Sequence, residues 1–305
     1  MRHWASLGSL GSGAILCLSL LGANAAVAHD DGSGALTDRR IAVSDPDLSA
    51  SLKRAAEAVG VVRSEFPQSS PPTFLDTSET GSGVLIAPCL VLTARHVLGL
   101  QPIDVSSGRT IKVSFFQYKS DGSRTSFVSE AKVRSNGGGR GRWSNLNVVD
   151  DWAILELTTP PKGIIPISLE AINCCGSIQA RRVALVGFPA DHFNENEPVA
   201  WLDPNCRVAQ RLANGMLMTT CLATSGNSGG PLLMQVGDRW VLGGLLTRAA
   251  PPDALGRAQN TDNFALPFGN YLRREIRNAQ SASACPVSQP SPLPALVPGP
   301  ETNRK

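Results

Sequence analysis

The chain has 305 residues, of which 42% are hydrophobic and 17% charged, and its formal net charge at pH 7 is +3. This length and apolar content suit one folded unit with a substantial core. So small a charge gives no electrostatic reason to expect a nucleic acid or a membrane surface as a partner. The 29 glycines and 22 prolines favour many short strands and turns over long helices.

The first 28 residues have the features of an export signal. Arg2 and His3 supply a positive end, and an apolar run follows that ends at Ala26-Val27-Ala28, a typical cleavage sequence. A signal anchor is the alternative, but the run is short for a membrane span. No later segment is apolar enough to cross a bilayer. We therefore predict a signal peptide over residues 1–28 and a secreted or periplasmic product without a membrane span.

Short strands dominate the rest of the pattern. Residues 29–56 are polar, apart from a predicted helix within 48–58, and could be a propeptide. Predicted strands fall within residues 58–65, 81–98 (two strands turning at Ala87-Pro88), 109–120, 125–135, 150–157, 181–189, 207–220 (a hairpin), 240–249 and 263–268. A helix is predicted over 269–279, and the proline-rich residues 280–305 are predicted to be a disordered tail. This pattern indicates an all-β barrel or sandwich with a C-terminal helix.

Cysteines in an exported chain are read as candidate disulfides. Cys206 and Cys221 flank the hairpin that turns at Asn214-Gly215, so the two strand ends should lie within bridging distance. Such a bridge adds about 3 kcal/mol in the chain-entropy model. Pairing stays open for the other four outside the signal: Cys89, Cys174, Cys175 and Cys285. No C-x-x-C pair exists and histidine is scarce, so we predict no metal site.

Ser228 is a candidate nucleophile in the sequence TSGNSGGP. A serine hydroxyl needs a base, a group that orients the base, and donors for the developing oxyanion. Of the four histidines, His3 lies in the signal and His29 beside its cleavage point, which leaves His96 and His192 as candidate bases. No histidine follows Ser228, and this excludes the serine–acid–histidine order of the α/β-hydrolases.

A candidate acid precedes the apolar strand DWAILEL. A carboxylate there is costly to bury unless it accepts hydrogen bonds, and a histidine ring N–H would supply one. Asp151 is the first candidate and Asp150 the alternative. With His96 in LTARHVL, the order histidine, aspartate, serine results, which is that of the two-barrel serine proteases.

The segments LTARHV, DWAILEL and GNSGGP together resemble the three signature segments of the chymotrypsin-like (trypsin-fold) serine peptidases, over roughly residues 57–279. The resemblance implies two six-stranded antiparallel β-barrels with the site in the cleft between them. It implies that His96 is the general base and acid, Asp151 its orienting group and Ser228 the nucleophile. The backbone N–H groups of Gly226 and Ser228 would form the oxyanion hole.

One residue beside the predicted nucleophile departs from the digestive branch of this family. Asn227 stands where that branch carries an aspartate, which pairs with an α-amino group released by cleavage. A neutral amide cannot neutralise a buried ammonium, so we expect that activation switch to be absent. With DRRIAV at residues 38–43, GNSGGP is most similar to the bacterial glutamyl-endopeptidase-like branch.

The resemblance also suggests residues that would contact substrate. Leu222 would lie near the base of the specificity pocket, which disfavours a trypsin-like preference. Thr247 would be a hydrogen-bond partner of Asp151, Arg248 and Ala249 would run along the substrate backbone, and Asp262 could reach the pocket.

The predicted function is that of an exported, monomeric serine endopeptidase that cleaves peptide or protein substrates through an acyl-enzyme, without metal or organic cofactor. The alternative is a catalytically inactive trypsin-fold binding protein. A stress-response protease of the high-temperature-requirement type shares GNSGG but normally carries a peptide-binding module, which the proline-rich tail cannot form.

Overall fold

Antiparallel strands account for most of the regular structure in the computed structural model. It describes residues 38–65, 79–99, 109–119, 121, 123–137, 150–169, 182–250 and 263–283. All of them belong to one compact unit that begins at Thr37. The predicted signal peptide, residues 284–305 of the predicted tail, Asp262, Cys174, Cys175 and Cys285 lie outside the described residues. Residues 280–282, predicted to begin the disordered tail, instead belong to the C-terminal helix.

The N-terminal half forms a closed barrel with the strand order β2-β3-β4-β7-β6-β5. Its strands are β2 (Val59–Glu65), β3 (Glu79–Ala87), β4 (Leu90–Thr93), β5 (Thr110–Tyr118), β6 (Arg124–Asn136) and β7 (Ala153–Leu157). Branched and aromatic side chains such as Val62, Leu92, Phe115 and Ile154 are fully buried in the core. These residue types favour strands because they pack well on a pleated surface.

The C-terminal half forms an eight-stranded antiparallel sheet in the order β1-β9-β8-β12-β13-β14-β11-β10. Its strands are β1 (Ile41–Ala42), β8 (Val183–Gly187), β9 (Trp201–Cys206), β10 (Val208–Arg211), β11 (Leu217–Thr219), β12 (Pro231–Val236), β13 (Arg239–Arg248) and β14 (Asn263–Pro267).

Two features explain why this sheet has eight strands instead of six. Only Arg207 separates β9 from β10, so they are two halves of one bent strand. Because β9 pairs with β8 and β10 pairs with β11, this bent strand contributes to both ends of the sheet. The two-residue strand β1 is an additional edge strand on β9. The predicted all-β fold with a C-terminal helix is confirmed.

Two short helices pack on the strands. Helix α1 (Ala50–Glu57) begins after Ser49, whose side chain accepts a hydrogen bond from Leu52 N at 3.4 Å, and this is a normal N-cap. Helix α2 (Asn270–Ala282) buries Leu272, Ile276 and Ala279, whose spacing of four and three places them on one face. The helices predicted within 48–58 and 269–279 are both confirmed.

The predicted disulfide between Cys206 and Cys221 is present, with the two Cα atoms 4.7 Å apart. It connects the end of β9 to the segment that follows β11. Cys89 is also disulfide-bonded, and its sulfur lies 3.6 Å from Ser283 Oγ just after α2. Within the described part of the chain, no helix has the length and apolarity needed to cross a membrane.

Candidate active site

His96 and Asp151 are brought together by two paired strands of the first barrel. His96 lies in a 3₁₀ turn (Arg95–Leu98) directly after β4, and Asp151 lies directly before β7. Strand β4 pairs with β7 so that Thr93 faces Ala153, which places the two flanking residues side by side. The strand register alone therefore builds this half of the site.

Both carboxylate oxygens of Asp151 accept hydrogen bonds from His96. Oδ2 lies 2.6 Å from the ring Nδ1, and Oδ1 accepts from the backbone N–H at 3.0 Å. Asp151 is only 8% exposed, while the His96 side chain keeps 30% of its exposure. The carboxylate thus fixes the ring orientation and assigns the Nδ1 proton, which leaves Nε2 as the nitrogen free to act as a base. Asp151, and not the alternative Asp150, makes this contact.

The charge state of His96 reflects two opposing effects. Burial by itself would lower the pKa of the imidazole, but the hydrogen bond and negative charge of Asp151 outweigh burial. Glu79 adds a smaller effect in the same direction, while Arg95 opposes it. The pKa of His96 therefore lies above its ordinary value of 6.5.

Ser228 lies in a tight loop that precedes β12. Gly226 and Gly229, on either side of it, have φ angles of +87° and +82°, which side chains with a Cβ rarely adopt. The loop is held to the neighbouring strand because Gly229 N donates to Leu246 O of β13 at 2.7 Å. Two of the three glycines of the GNSGG sequence, Gly226 and Gly229, are thus required by backbone conformation.

Ser82 of β3 connects the two halves of the molecule at this loop. Its backbone N–H donates to Ser228 O at 2.8 Å, and its Oγ donates to Gly226 O at 2.7 Å. The same Oγ accepts from Phe188 N at 3.0 Å. Ser82 is fully buried, so these bonds form in a low dielectric, where they are strong. Ser82 was not identified from the sequence; only its position in Gly81-Ser82-Gly83 hints at close backbone packing.

The Ser228 loop and the His96 turn lie against each other. A Cβ placed on Gly81 would come within 2.5 Å of the Val97 side chain and 2.9 Å of Ser228 O. A Cβ on Gly229 would come within 2.9 Å of Ala94 N, two residues before His96. Among the described residues, no hydrogen bond joins Ser228 Oγ to the His96 ring. Catalytic hydrogen bonds are often long in the absence of substrate.

The two predicted oxyanion donors have no competing acceptor. Neither the Gly226 N–H nor the Ser228 N–H donates to any residue in the described part of the chain. Their neighbours are engaged: Asn227 N donates to Thr224 O at 3.2 Å, and Gly230 N donates to Asn227 O at 2.8 Å. Two unengaged N–H groups on either side of one residue can bind a developing negative charge.

The predicted substrate-binding residues lie in different environments, and one of them lacks its expected contact. Leu222 is buried, and its N–H donates to Asp203 Oδ2 at 2.8 Å. Thr247 does not make the expected bond to Asp151, because its hydroxyl donates to Phe264 O at 3.3 Å. Arg248 is exposed, with its guanidinium 6.0 Å from the Phe264 ring centre, and Ala249 is half-buried beside it. Asp262 lies outside the described residues.

His192, the alternative base, lies in a different environment. Its ring stacks on Trp201 with 3.9 Å between the ring centres, and its Nε2 lies 2.8 Å from Asp38 Oδ2. It contacts neither Asp151 nor Ser228 within the described residues. The geometry therefore favours His96 as the base.

Comparisons with known proteins identify a family and two solved structures to which this chain is similar. A family model described as a trypsin-like peptidase domain matches residues 81–242. A Glu endopeptidase solved in complex with MPD has a TM-score of 0.53 and 16% identity, over 80% of this chain and 98% of that chain. A serine endoprotease from Yersinia pestis has a TM-score of 0.45 and 21% identity, over 76% of this chain and 66% of that chain. A search of curated proteins found no match.

The Glu endopeptidase shares the fold. At 16% identity, the similarity does not indicate which substrate this chain cleaves. The family match covers the His96 turn, Asp151 and the Ser228 loop in one alignment, and it spans more than half of the chain. The chain therefore belongs to the trypsin-like peptidase family.

Proposed function

We propose that the protein is a serine endopeptidase that uses His96, Asp151 and Ser228. The observation that carries this proposal is the 2.6 Å contact between His96 Nδ1 and the buried Asp151 carboxylate, in a turn packed beside the Ser228 loop. A histidine oriented in this way can remove a proton at Nε2, and the packing of the Ser228 loop beside the His96 turn supports Ser228 as the nucleophile.

The proposed reaction runs in two halves. Ser228 Oγ attacks the carbonyl carbon of the scissile peptide while His96 Nε2 takes the hydroxyl proton. The N–H groups of Gly226 and Ser228 bind the resulting oxyanion. His96 then gives the proton to the leaving amine, and an acyl ester on Ser228 remains. A water molecule attacks this ester while His96 takes its proton. The acyl–Oγ bond then breaks, His96 returns the proton to Ser228 Oγ, and the acid product is released.

Asp151 contributes by charge and by geometry. Its carboxylate accepts a hydrogen bond from the Nδ1–H without taking the proton, so the imidazolium that forms in each half-reaction is stabilised. Its second oxygen, bound to the His96 backbone N–H, prevents the carboxylate from rotating away. No separate acid is needed elsewhere in the site.

One residue of the predicted specificity pocket bears on substrate preference. Leu222, predicted at the pocket base, presents an apolar and fully buried side chain. Such a base gives no counterion for a lysine or arginine of a substrate, so we propose that basic residues are not preferred at the cleavage site.

We also propose that the protein works outside the cytoplasm. The Cys206–Cys221 disulfide is the structural support, because disulfides persist in oxidising compartments. The N-terminal export signal predicted from the sequence agrees with this location.

Hydrolysis of denatured casein by the purified protein tests the proposal. Mass spectrometry of the fragments identifies new termini and thereby distinguishes peptide-bond hydrolysis from contamination by other enzymes, with Ser228→Ala protein as the matched control. Cleavage by the parent and none by the variant supports the endopeptidase. A folded parent that cleaves neither casein nor a diverse peptide library contradicts it and favours the binding protein.

A further inference from the structure

Two adjacent arginines near the start of the folded unit form ion pairs with distant acids, Arg39 at a half-buried and Arg40 at a buried position. We call residues 38–40 the arginine strut. The Arg40 side chain is only 3% exposed, and its guanidinium is bound by two carboxylates. It contacts Asp38 through Nε and NH2 at 2.9 and 2.7 Å, and Asp191 through NH1 and NH2 at 3.0 and 2.5 Å. Two bidentate contacts, one with each carboxylate, hold this guanidinium at a fixed position.

Arg40 is connected through Asp191 to the loop that contains Ser228. Asp191 Oδ1 accepts a hydrogen bond from the Thr224 hydroxyl at 2.8 Å. The Thr224 backbone N–H donates in turn to Asn227 Oδ1 at 3.0 Å. Asn227 lies between the two predicted oxyanion donors. Every link in this path is an observed hydrogen bond, and the Arg40 and Asp191 side chains that begin it are 3% and 20% exposed.

Arg39 is connected to the other end of the same loop. Its Nε and NH2 contact the two carboxylate oxygens of Asp203 at 3.0 and 2.8 Å, and NH2 also donates to Thr220 O at 2.6 Å. Asp203 is 1% exposed, and its Oδ2 accepts from Leu222 N. The strut thus anchors the loop at residues 220–222 through Arg39 and at residues 224–227 through Arg40.

The charges in this region depend on one another. Burial would raise the pKa of Asp191, but its hydrogen bonds from Arg40 and Thr224 lower the pKa below the ordinary value. Burial would likewise lower the pKa of Arg40, but its two carboxylate partners raise it. Removing the guanidinium would leave the Asp191 and Asp38 carboxylates close together without their shared cation, and their repulsion would favour a rearrangement.

Resting on the proposed peptidase function, we propose that the arginine strut is a positioning element that holds residues 220–228 in the conformation competent for catalysis. A guanidinium carried inside the chain would supply the positive charge that a newly cut N-terminus supplies in the digestive branch. Asn227, whose neutral amide cannot neutralise an ammonium, fits this arrangement because it connects to Asp191 through Thr224. Cleavage after Arg40 would therefore remove the strut and inactivate the enzyme.

The cluster around Arg40 also resembles a metal site in composition. Ligand atoms of Asp38, Asp191 and His192 lie within 4.8 Å of one another. The Arg40 guanidinium, however, already contacts both carboxylates and provides the cation. We therefore assign this cluster to the strut.

Steady-state kinetics of full-length strut variants test the proposal. Arg40→Ala should lower kcat by about 10- to 100-fold. This is less than the loss of about 10²- to 10³-fold expected when one oxyanion donor is removed, because the donor would be displaced and not lost. KM should change by less than about threefold, because ground-state binding does not use the oxyanion hole. Affinity for a peptide boronate, which occupies that hole, should fall in parallel with kcat. Arg40→Lys should recover only part of kcat, since an ammonium cannot form both two-pronged contacts.

Arg134→Ala is the matched control. Arg134 is a half-exposed arginine that pairs with Glu156 and donates to Ala282 O, away from the loop. Its kcat should stay within about twofold of the parent. Should Arg40→Ala fail to fold, Thr224→Val removes the link to Asp191 while leaving the ion pairs intact. It should still lower kcat and boronate affinity together.

Two results would overturn the proposal while leaving the peptidase function intact. One is an active parent whose kcat is unchanged in folded Arg40→Ala and Thr224→Val proteins. The other is N-terminal sequencing that shows the active enzyme to begin at Ile41. If the parent itself hydrolyses no peptide, the proposed function fails instead.

Discussion

The two halves of the candidate site are positioned in different ways. His96 and Asp151 are joined directly by two hydrogen bonds, and both flank strands that pair with each other in one barrel. The Ser228 loop depends on distant partners: Ser82 from the other barrel, and through Thr224 and Asp191 a segment near residue 40.

Because the two halves are held by different contacts, one half can lose its active conformation while the other keeps it. The pairing of β4 with β7 is part of the first barrel and is lost only when that barrel unfolds. The contact between His96 and Asp151 should therefore persist as long as the barrel is folded. The loop is held by individual polar contacts and by glycines with positive φ, so it should be the part that adjusts to substrate, processing or mutation. The following predictions compare the two halves.

The largest effect should come from the nucleophile. Ser228→Ala should lower kcat by about 10⁶-fold, because it removes the hydroxyl proposed to form the acyl ester. Ser225→Ala is the control, since Ser225 is exposed in the same loop. kcat should be measured on a fluorogenic peptide derived from the casein fragments. A loss of only tenfold in Ser228→Ala would mean that another residue is the nucleophile.

Asp151→Asn should lower kcat by about 10⁴-fold. The amide can still fill the space, but it favours the wrong imidazole tautomer and removes the charge that stabilises the imidazolium. Asp150→Asn, one residue earlier, should change kcat by less than tenfold. Equal effects of the two variants on the same peptide would contradict the assignment of Asp151.

Gly226→Ala should lower kcat by about 10²- to 10³-fold, the range for losing an oxyanion donor. A Cβ at this position would clash with the Phe188 carbonyl, and φ is +87°. Gly215→Ala is a matched control, with φ of +88° and open space around the added Cβ. It should cost about 1–2 kcal/mol of stability from backbone strain while leaving kcat unchanged. Equal kcat losses in both variants would point to general destabilisation instead.

The smallest effect concerns pH. Because Asp151 and Glu79 raise the pKa of His96 and the base must be neutral, kcat/KM should fall as the pH drops through a midpoint above 6.5. Glu79→Gln removes one negative charge and should shift this midpoint downward without abolishing activity. Glu57→Gln, on helix α1, should leave it in place. A midpoint below 6.5 in the parent would contradict the charge assignment.

Sequence patterns predicted the half of the site that is built locally. LTARHVL and DWAILEL each place a polar residue at the end of an apolar strand, and neighbouring antiparallel strands then bring these ends together. The disulfide was predictable for the same reason, because Cys206 and Cys221 close a hairpin with a recognisable Asn-Gly turn.

The long-range half could not be predicted in this way. Arg40 and Asp191 are 151 residues apart, and no local pattern indicates which acid a buried arginine will meet. Strand β9 was not predicted because Asp203, Pro204 and Asn205 have turn propensities, which tertiary pairing with β8 overrides. Thr247 was assigned from the resemblance, but its hydroxyl turns to Phe264 O on the neighbouring strand.

The central claim is that His96 activates Ser228 in an assembled site, and labelling with a fluorophosphonate tests it most directly. The folded parent protein should be labelled at one position, mapped to Ser228 by peptide mass spectrometry, and folded His96→Ala protein should react far more slowly. Modification of a different residue, or equal labelling rates in the parent and the His96→Ala protein, would contradict the account.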